Sequence, residues 1–166
     1  MIPQEKIMAR IKELAGRISS DYSGKEPILA GVLNGAVFFL ADLTREMTIP
    51  VKIDFIRAAS YGAGDSSSGS VVLTKGLDMP VKGKPVILVE DIVDTGLTLS
   101  KILDIIAAQS PESIRVCALI DKQERRERDI IIDYCGFQVE EGFLVGYGLD
   151  YNEQFRCLHD IYVLHL

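Results

Sequence analysis

The sequence predicts an α/β fold in which a mostly parallel sheet is flanked by helices. The main observation is that short, almost continuously apolar runs, such as PILAGVL and SIRVCALI, alternate with longer segments of helical periodicity. Uninterrupted apolar strands are typical of sheets buried on both faces, and parallel strands need crossover helices between them. The chain has 166 residues, of which 48% are hydrophobic, so we expect a single domain over residues 1–166 with a sizeable core.

The predicted elements follow one another in a regular order along the chain. Apolar residues recur at helical spacing near the N-terminus and predict an amphipathic helix over residues 4–20: Ile7, Ile11, Leu14 and Ile18. Apolar or alternating runs predict strands at 27–33, 51–58, 71–74, 84–90 and 113–120. Helical patterns predict two further helices, at 36–47 and 98–109.

Two segments fit neither periodicity. Residues 59–70, ASYGAGDSSSGS, are small and polar and predict a flexible lid loop, although an ordinary hairpin loop has the same composition. Residues 142–164 are rich in aromatic residues and interrupted by glycines, which predicts a small C-terminal hood with a closing strand. The hood and the lid are therefore expected as additions to the sheet.

Composition excludes several classes of function. The net charge of −6 and the sequence pI of about 4.9 argue against a nucleic-acid-binding surface, which is usually basic. Cys117, Cys135 and Cys157 lack metal-binding spacing, so we expect reduced thiols in a cytoplasmic protein. We expect neither a signal peptide nor a membrane span, because no apolar run approaches the necessary length.

Polar segments follow three of the predicted strands: LNG at 33–35, EDIVDTGLT at 90–98 and DKQERRER at 121–128. In open α/β sheets, ligands bind outside the carboxyl ends of the strands. The second segment ends in TGLT at the start of a helix, where small residues, hydroxyls and N–H groups are typical of a phosphate cradle. These segments are the first indication of a functional site.

The pattern VEDIVDTGLTL, residues 89–99, resembles the ribose-phosphate fingerprint of type I phosphoribosyltransferases. Three more segments resemble the hypoxanthine-guanine group of that family: SYGAG at 60–64, LIDKQERR at 119–126 and FLVGYGLDYNEQFR at 143–156. The resemblance covers nearly the whole chain. It implies a purine-salvage enzyme that transfers the 5-phosphoribosyl group from 5-phosphoribosyl-1-pyrophosphate to hypoxanthine or guanine, giving IMP or GMP plus pyrophosphate. It also implies Mg²⁺ and a dimer or tetramer.

The resemblance assigns the fingerprint residues to the sugar phosphate. The loop formed by Thr95, Gly96, Leu97 and Thr98 would surround the 5′-phosphate, while Glu90 and Asp91 would face the ribose hydroxyls and Mg²⁺. Asp94 would face the purine N7 as the catalytic proton acceptor or charge stabiliser. Its carboxylate would thus meet positive charge that develops on the sugar. The alternative is an acidic helix cap without a chemical role.

The resemblance assigns a second group of residues to pyrophosphate. Asn34 and Gly35 would bind it through the backbone, next to a Leu33–Asn34 peptide bond that is expected to be cis. Many relatives carry Lys or Arg at the position of Asn34, so no charged contact is expected there; a plain Asn-Gly turn is the alternative. Ser60 and Tyr61 would approach pyrophosphate as the lid closes, and Arg156 would contact it from the hood.

The third group would bind the purine. Lys122 would donate a hydrogen bond to O6, Phe143 would stack on the ring, and Leu144 would offer backbone groups to its edge. Asp150 would complete this site and hold a second Mg²⁺ through water. A core position for Phe143 and a solvated position for Lys122 are the alternatives.

The rest of the charged run is assigned more weakly. Arg126 matches a family arginine associated with pyrophosphate and with the Lys122 region. A solvated surface is expected for its neighbours: Glu124, Arg125, Glu127 and Arg128.

Two other functions remain open at this point. One is a close relative that prefers xanthine or a pyrimidine. The other is an RNA-binding regulator with the same fold, which needs a basic face that a chain of net charge −6 gives little reason to expect. The purine pattern around Lys122 and Phe143 favours 6-oxopurines but does not rank them.

Overall fold

The computed structural model describes residues 1–61 and 70–165. The helices in this part of the chain are α1 (Gln4–Asp21), α2 (Val37–Arg45) and α3 (Leu97–Ala107). Its strands are β1 (Ile28–Val32), β2 (Lys52–Tyr61), β3 (Ser70–Lys75), β4 (Pro85–Val93), β5 (Ser113–Lys122), β6 (Tyr134–Val139), β7 (Phe143–Val145) and β8 (Tyr162–Leu164).

The main sheet confirms the predicted mostly parallel architecture. Its six strands lie in the order β3-β2-β1-β4-β5-β6, and only the pairing of β3 with β2 is antiparallel. β1 and β4 lie side by side at the point where the strand order reverses. Sheets of this kind bind ligands at that point, outside the carboxyl ends of the two strands.

Two apolar layers cover the sheet, and β4 shows how the sequence produces them. Ile87 and Val89 pack with α1 and α2 in one core cluster, while Val86 and Leu88 pack with α3 in the other. Successive side chains of a strand point to opposite faces, so a strand between two helical layers must be apolar at every position. The continuous apolar run of β4 is therefore a direct consequence of its central position.

The structure differs from the predicted elements in three places. β6 was not predicted, because YCGFQV is neither continuously apolar nor strictly alternating. β2 continues to Tyr61, so the first part of the predicted lid is strand, paired with β3. β4 continues to Val93, which places Glu90 and Asp91 inside the strand.

The C-terminal hood is tied to the rest of the chain by backbone pairing. β7 and β8 form a two-stranded antiparallel sheet, and Ile2 exchanges backbone hydrogen bonds with Ile161 at 2.8 and 2.9 Å. Gly148 N–H donates to the carbonyl of Arg156 within the hood at 2.9 Å. No helix of the described residues has the length and apolar character needed to span a bilayer.

Candidate active site

A cavity of about 320 Å³ opens where β1 and β4 end. The turn after β1, the end of β4, the first turn of α3 and the hood form its walls. It brings together most of the residues predicted for the sugar phosphate and pyrophosphate: Asn34, Gly35, Glu90, Asp91, Asp94, Thr95, Gly96, Thr98, Asp150 and Arg156. Leu97 does not line it, and its side chain is exposed at the start of α3.

The turn between β4 and α3 has the geometry of a phosphate cradle. Gly96 has a φ of +80°, and a Cβ atom there would lie 2.6 Å from the carbonyl oxygen of Arg128, so the position requires glycine. The Leu97 N–H donates to the Thr95 hydroxyl at 3.4 Å. The Thr95 carbonyl accepts from the N–H groups of Glu127 and Arg128 at 2.9 and 3.0 Å, which anchors the turn to the segment after β5. The turn therefore presents a helix N-terminus to the cavity.

Glu90 and Asp91 form a pair of adjacent carboxyl groups in β4, of which Asp91 is buried and Glu90 is partly exposed. Burial raises the pKa of Glu90 well above its usual value, and the neighbouring charge of Asp91 raises it further. Burial also raises the pKa of Asp91, although hydrogen bonds with Glu90 and with the N–H of Ile92, at 2.8 Å, and the charge of Arg156 oppose this. Both shifts come mainly from burial, which makes the charged form of each carboxyl group less favourable.

This pair fits a magnesium ion that also binds the substrate. Its carboxyl oxygens are the ligands that Mg²⁺ prefers, and a divalent cation would offset the charge that burial makes unfavourable. Among residues 1–61 and 70–165, no group of three or more acidic, histidine or cysteine side chains is placed to hold a metal alone. Mg²⁺ usually completes its octahedron with water and substrate phosphates, so the donor set fits a metal that arrives with a phosphate ligand.

The turn after β1 is packed against the acid pair and the hood. The Leu33–Asn34 peptide bond is cis, as predicted. A Cβ atom on Gly35 would lie 1.6 Å from Oδ2 of Asp91, and a Cβ atom on Gly148 would lie 2.0 Å from the Gly35 carbonyl oxygen. Glycine is therefore needed at both positions for the turn, β4 and the hood to come together.

Arg156 and Asp150 reach the cavity from the hood. Arg156 Nη2 lies 2.8 Å from Asp150 Oδ1, and its Nη1 donates to the Gly148 carbonyl at 2.7 Å. Asp150 also accepts from the Glu153 N–H at 2.9 Å. The guanidinium thus adds a positive charge to a wall that is otherwise acidic.

A second, smaller cavity of about 170 Å³ adjoins the first and contains the predicted purine residues Lys122, Phe143, Leu144 and Asp150. Lys122 is the last residue of β5 and is only 5% exposed, which excludes the alternative of a solvated side chain. Phe143 is 37% exposed and meets Tyr151 edge-on, with ring centroids 5.4 Å apart, which excludes the core alternative.

Asp94 lies on the wall shared by the two cavities. Its Oδ1 atom is buried and has no hydrogen-bond partner among the described residues, while Oδ2 is paired with Arg125. A buried acceptor without a partner is costly in a folded protein unless a ligand satisfies it. The carboxylate therefore has an oxygen free to accept a hydrogen bond where the two cavities meet.

The charged run after β5 is more involved in the site than predicted. Arg125 is 61% exposed, as expected for a solvated side chain, but it also lines the smaller cavity and pairs with Asp94. Glu124 pairs with Lys122 at 3.1 Å. The contacts exist because β4 and β5 are neighbours, with Val93 beside Asp121, so the segments that follow them meet.

Arg126 holds the two segments together. Its guanidinium donates to the carbonyls of Asp94 at 2.7 Å, Val93 at 2.9 Å and Lys122 at 3.1 Å, and it pairs with Asp121 at 2.5 Å. The predicted association of Arg126 with the Lys122 region is confirmed, and its contact with pyrophosphate stays a prediction.

The lid is only partly described. Ser60 and Tyr61 are the last residues of β2, and their backbones pair with Val71 and Ser70. Residues 62–69, the rest of the predicted lid, lie outside the described residues.

Sequence reasoning missed Arg125, Glu124 and Gly148. For Glu124 and Arg125, the available signal was that two adjacent residues of opposite charge follow Lys122 by two and three positions. For Gly148, the spacing G-x-G around Tyr147 indicated a turn but not the contact with Gly35.

Comparison with known proteins identifies the family. Residues 2–152 match the family model described as the phosphoribosyl transferase domain. The chain is 45% identical to the hypoxanthine phosphoribosyltransferase of Salmonella typhimurium, over 95% of this chain and 90% of that one. It is 46% identical to the hypoxanthine-guanine phosphoribosyltransferase of Aquifex aeolicus, over 99% and 93% of the two chains.

Solved structures agree with the sequence comparisons. The chain is similar to a crystal structure of a hypoxanthine-guanine phosphoribosyltransferase from Bacillus anthracis, with a TM-score of 0.94 and 42% identity over 99% of this chain and 97% of that one. The similarity therefore extends over the sheet, the hood and the turn formed by Thr95, Gly96, Leu97 and Thr98 (the phosphate turn). The chain belongs to the phosphoribosyltransferase family.

Proposed function

We propose that this chain transfers the 5-phosphoribosyl group from 5-phosphoribosyl-1-pyrophosphate to hypoxanthine or guanine, giving IMP or GMP plus pyrophosphate, in purine salvage. Relatives at 45 and 46% identity carry the names of such enzymes. The observation that carries the proposal is the position of Asp94 between a cavity suited to a sugar phosphate and a cavity suited to a base.

The larger cavity supplies the contacts for the sugar phosphate. The 5′-phosphate lies in the turn formed by Thr95, Gly96, Leu97 and Thr98, where N–H groups and hydroxyls offset its charge. Arg156 faces the pyrophosphate with its guanidinium, and the backbone of Asn34 and Gly35 lies on the same wall. Ser60 and Tyr61 approach pyrophosphate from the end of β2 when the lid closes.

Mg²⁺ is the proposed cofactor. Glu90 and Asp91 would hold it at the end of β4, and Asp150 would hold a second ion through water. The ion supplies positive charge against the leaving pyrophosphate when it is bound. The raised pKa values of the acid pair support this proposal, because a bound cation would stabilise both carboxylates.

Asp94 acts at the reacting centre. The purine N9 attacks C1′ as pyrophosphate leaves, so the sugar passes through a state with positive charge at C1′. The carboxylate of Asp94 stabilises that charge and accepts the hydrogen bond, or the proton, of the purine N7–H. Its Oδ1 atom has no partner among the described residues and its Oδ2 atom is paired only with the exposed Arg125, so either oxygen can take this contact when the base binds.

Lys122 selects a 6-oxopurine. Its ammonium group has donors only, and O6 of hypoxanthine or guanine is an acceptor. Adenine places an amino group there, so two donors would face each other at a buried charge. Phe143 stacks on the base, and Leu144 presents its backbone to the base edge.

We further propose a cytoplasmic homo-oligomer, a dimer or a tetramer, which acts on small molecules and binds neither nucleic acid nor membranes. Val37 and Phe38 on α2 are apolar and 38% and 41% exposed, which suits contact with another copy of the chain. Size-exclusion chromatography with light scattering tests the assembly.

The experiment that tests the function is a spectrophotometric assay. The purified protein is incubated with phosphoribosyl pyrophosphate, Mg²⁺ and one base at a time, and ultraviolet absorbance is followed. We expect nucleotide formation with hypoxanthine and guanine, dependence on Mg²⁺, and loss of turnover with excess EDTA. The absence of product with any 6-oxopurine would contradict the proposal, and faster turnover of xanthine or a pyrimidine would change the substrate.

A further inference from the structure

Two adjacent residues of opposite charge contact Lys122 and Asp94, which are two of the charged residues that line the smaller cavity, the proposed base site. Glu124 Oε2 lies 3.1 Å from the ammonium nitrogen of Lys122. The guanidinium of Arg125, the next residue, is paired with Oδ2 of Asp94. Both contacts belong to one short segment, which follows β5 directly.

The two members of each pair differ strongly in exposure. The side chain of Lys122 is 6% exposed and that of Glu124 is 46% exposed, while Asp94 is 22% exposed and Arg125 is 61% exposed. The inner groups, Lys122 and Asp94, therefore need a partner for their charge. The outer groups, Glu124 and Arg125, are hydrated as soon as they leave. Because Glu124 and Arg125 are rehydrated when they leave, and the purine gives each inner group a new partner, the exchange of one partner for the other costs little free energy.

The backbone that carries the two inner groups is fixed independently of these pairs. Arg126 donates to the carbonyls of both Asp94 and Lys122 from a mostly buried position. The side chains of Glu124 and Arg125 are thus free to leave while Asp94 and Lys122 stay in place. Arg126 therefore supports the backbone of the site, whereas Glu124 and Arg125 occupy it with side chains that can leave.

We propose that Glu124 and Arg125 occupy the base site in place of the purine and are displaced when the purine binds; this inference rests on the proposed function. Glu124 offers Lys122 the acceptor that O6 of the base later supplies. Arg125 offers Asp94 the donor that N7–H later supplies. The two residues therefore keep buried charges paired in the free enzyme and lower the affinity for the base.

The test measures the KM for hypoxanthine at saturating phosphoribosyl pyrophosphate and Mg²⁺ in the double variant Glu124→Gln, Arg125→Gln. Removing two competing ion pairs should lower that KM by about two- to tenfold. The KM for phosphoribosyl pyrophosphate and kcat should each change by less than about twofold, because the phosphate turn is untouched.

A matched control removes an exposed ion pair elsewhere. Lys25 and Glu112 pair with side-chain exposures of 51% and 43%, next to the starts of β1 and β5, at the opposite end of the strands from the cavities. The variant Lys25→Gln, Glu112→Gln has the same net charge change and should leave all three kinetic constants unaltered.

The outcomes separate the two proposals. An unmodified protein without transferase activity would overturn the proposed function itself. An active protein in which the Glu124, Arg125 variant has an unchanged or higher KM for hypoxanthine would overturn the displacement. If the double variant does not fold, Arg125→Gln and Glu124→Gln are measured singly, with the same direction of change expected for each.

Discussion

The proposed chemistry depends most on the carboxylate of Asp94. The substitution Asp94→Asn tests that carboxylate alone. Asparagine has nearly the same shape, so the cavity is kept while the negative charge and the ability to accept a proton are lost. The variant also loses the ion pair with Arg125, whose side chain is 61% exposed. Such pairs contribute about 0.2–1 kcal/mol, so the melting temperature should fall by at most about 4 °C.

Activity should fall much further than stability. Loss of a general base or of a carboxylate aimed at developing charge costs about 10²–10⁴-fold in kcat. The assay is initial-rate kinetics with hypoxanthine and phosphoribosyl pyrophosphate, together with thermal unfolding of the same samples. The KM for phosphoribosyl pyrophosphate should change little, because the phosphate turn does not include the Asp94 carboxylate.

A matched variant controls for the lost ion pair. Asp78→Asn removes a pair with Lys75, at 2.9 Å, and neither residue lines either cavity. It should alter stability by a similar amount and leave kcat unchanged. If Asp94→Asn binds both substrates and keeps a kcat within about threefold of normal, Asp94 serves only to pair with Arg125 and the proposed chemistry is wrong.

The remaining predictions concern the base, the turn after β1 and the thiols. Lys122→Ala should lower kcat/KM for hypoxanthine and guanine. In the same assay, the unmodified protein should discriminate against adenine by about 10⁴–10⁵-fold. Similar kcat/KM values for adenine and guanine would contradict the selectivity. Gly35→Ala should cut kcat/KM by about 10²-fold, because the new Cβ displaces the Asp91 carboxyl group; a fully active variant would show that the turn adapts. Cys157 is exposed, whereas burial raises the pKa of the Cys117 thiol. A thiol reagent at neutral pH should therefore modify Cys157 first, which peptide mapping would show. Early labelling of Cys117 would indicate an open core.

Much of the fold is determined by local sequence. The run from Pro85 to Val89 is apolar at every position, which by itself indicates a strand buried on both faces. The glycine of TGLT and the apolar period after it locate the start of α3 to within one residue. The fingerprint 89–99 could be recognised because its parts are consecutive, so no folding is needed to bring them together.

Contacts between segments were decided by the tertiary structure. Arg125 and Asp94 are 31 positions apart, and they meet only because β4 and β5 are adjacent and end at the same edge. The sequence shows a charged run there, and charged runs are usually solvated. Whether a charge in such a run is solvent-exposed or paired depends on a neighbouring strand that local periodicity does not identify.

The same reason explains the remaining differences. The strand β6 gave no clear signal because its buried positions alternate with partly exposed ones, and one of the buried positions is Gly136, which adds no apolar side chain. Gly148 is required by the carbonyl of Gly35, more than a hundred residues earlier in the chain. The sequence by itself determined the order of the elements and the chemistry of the phosphate turn, since both depend on neighbouring residues. The tertiary structure alone decided which charges face one another across the base site, because strand order sets those distances.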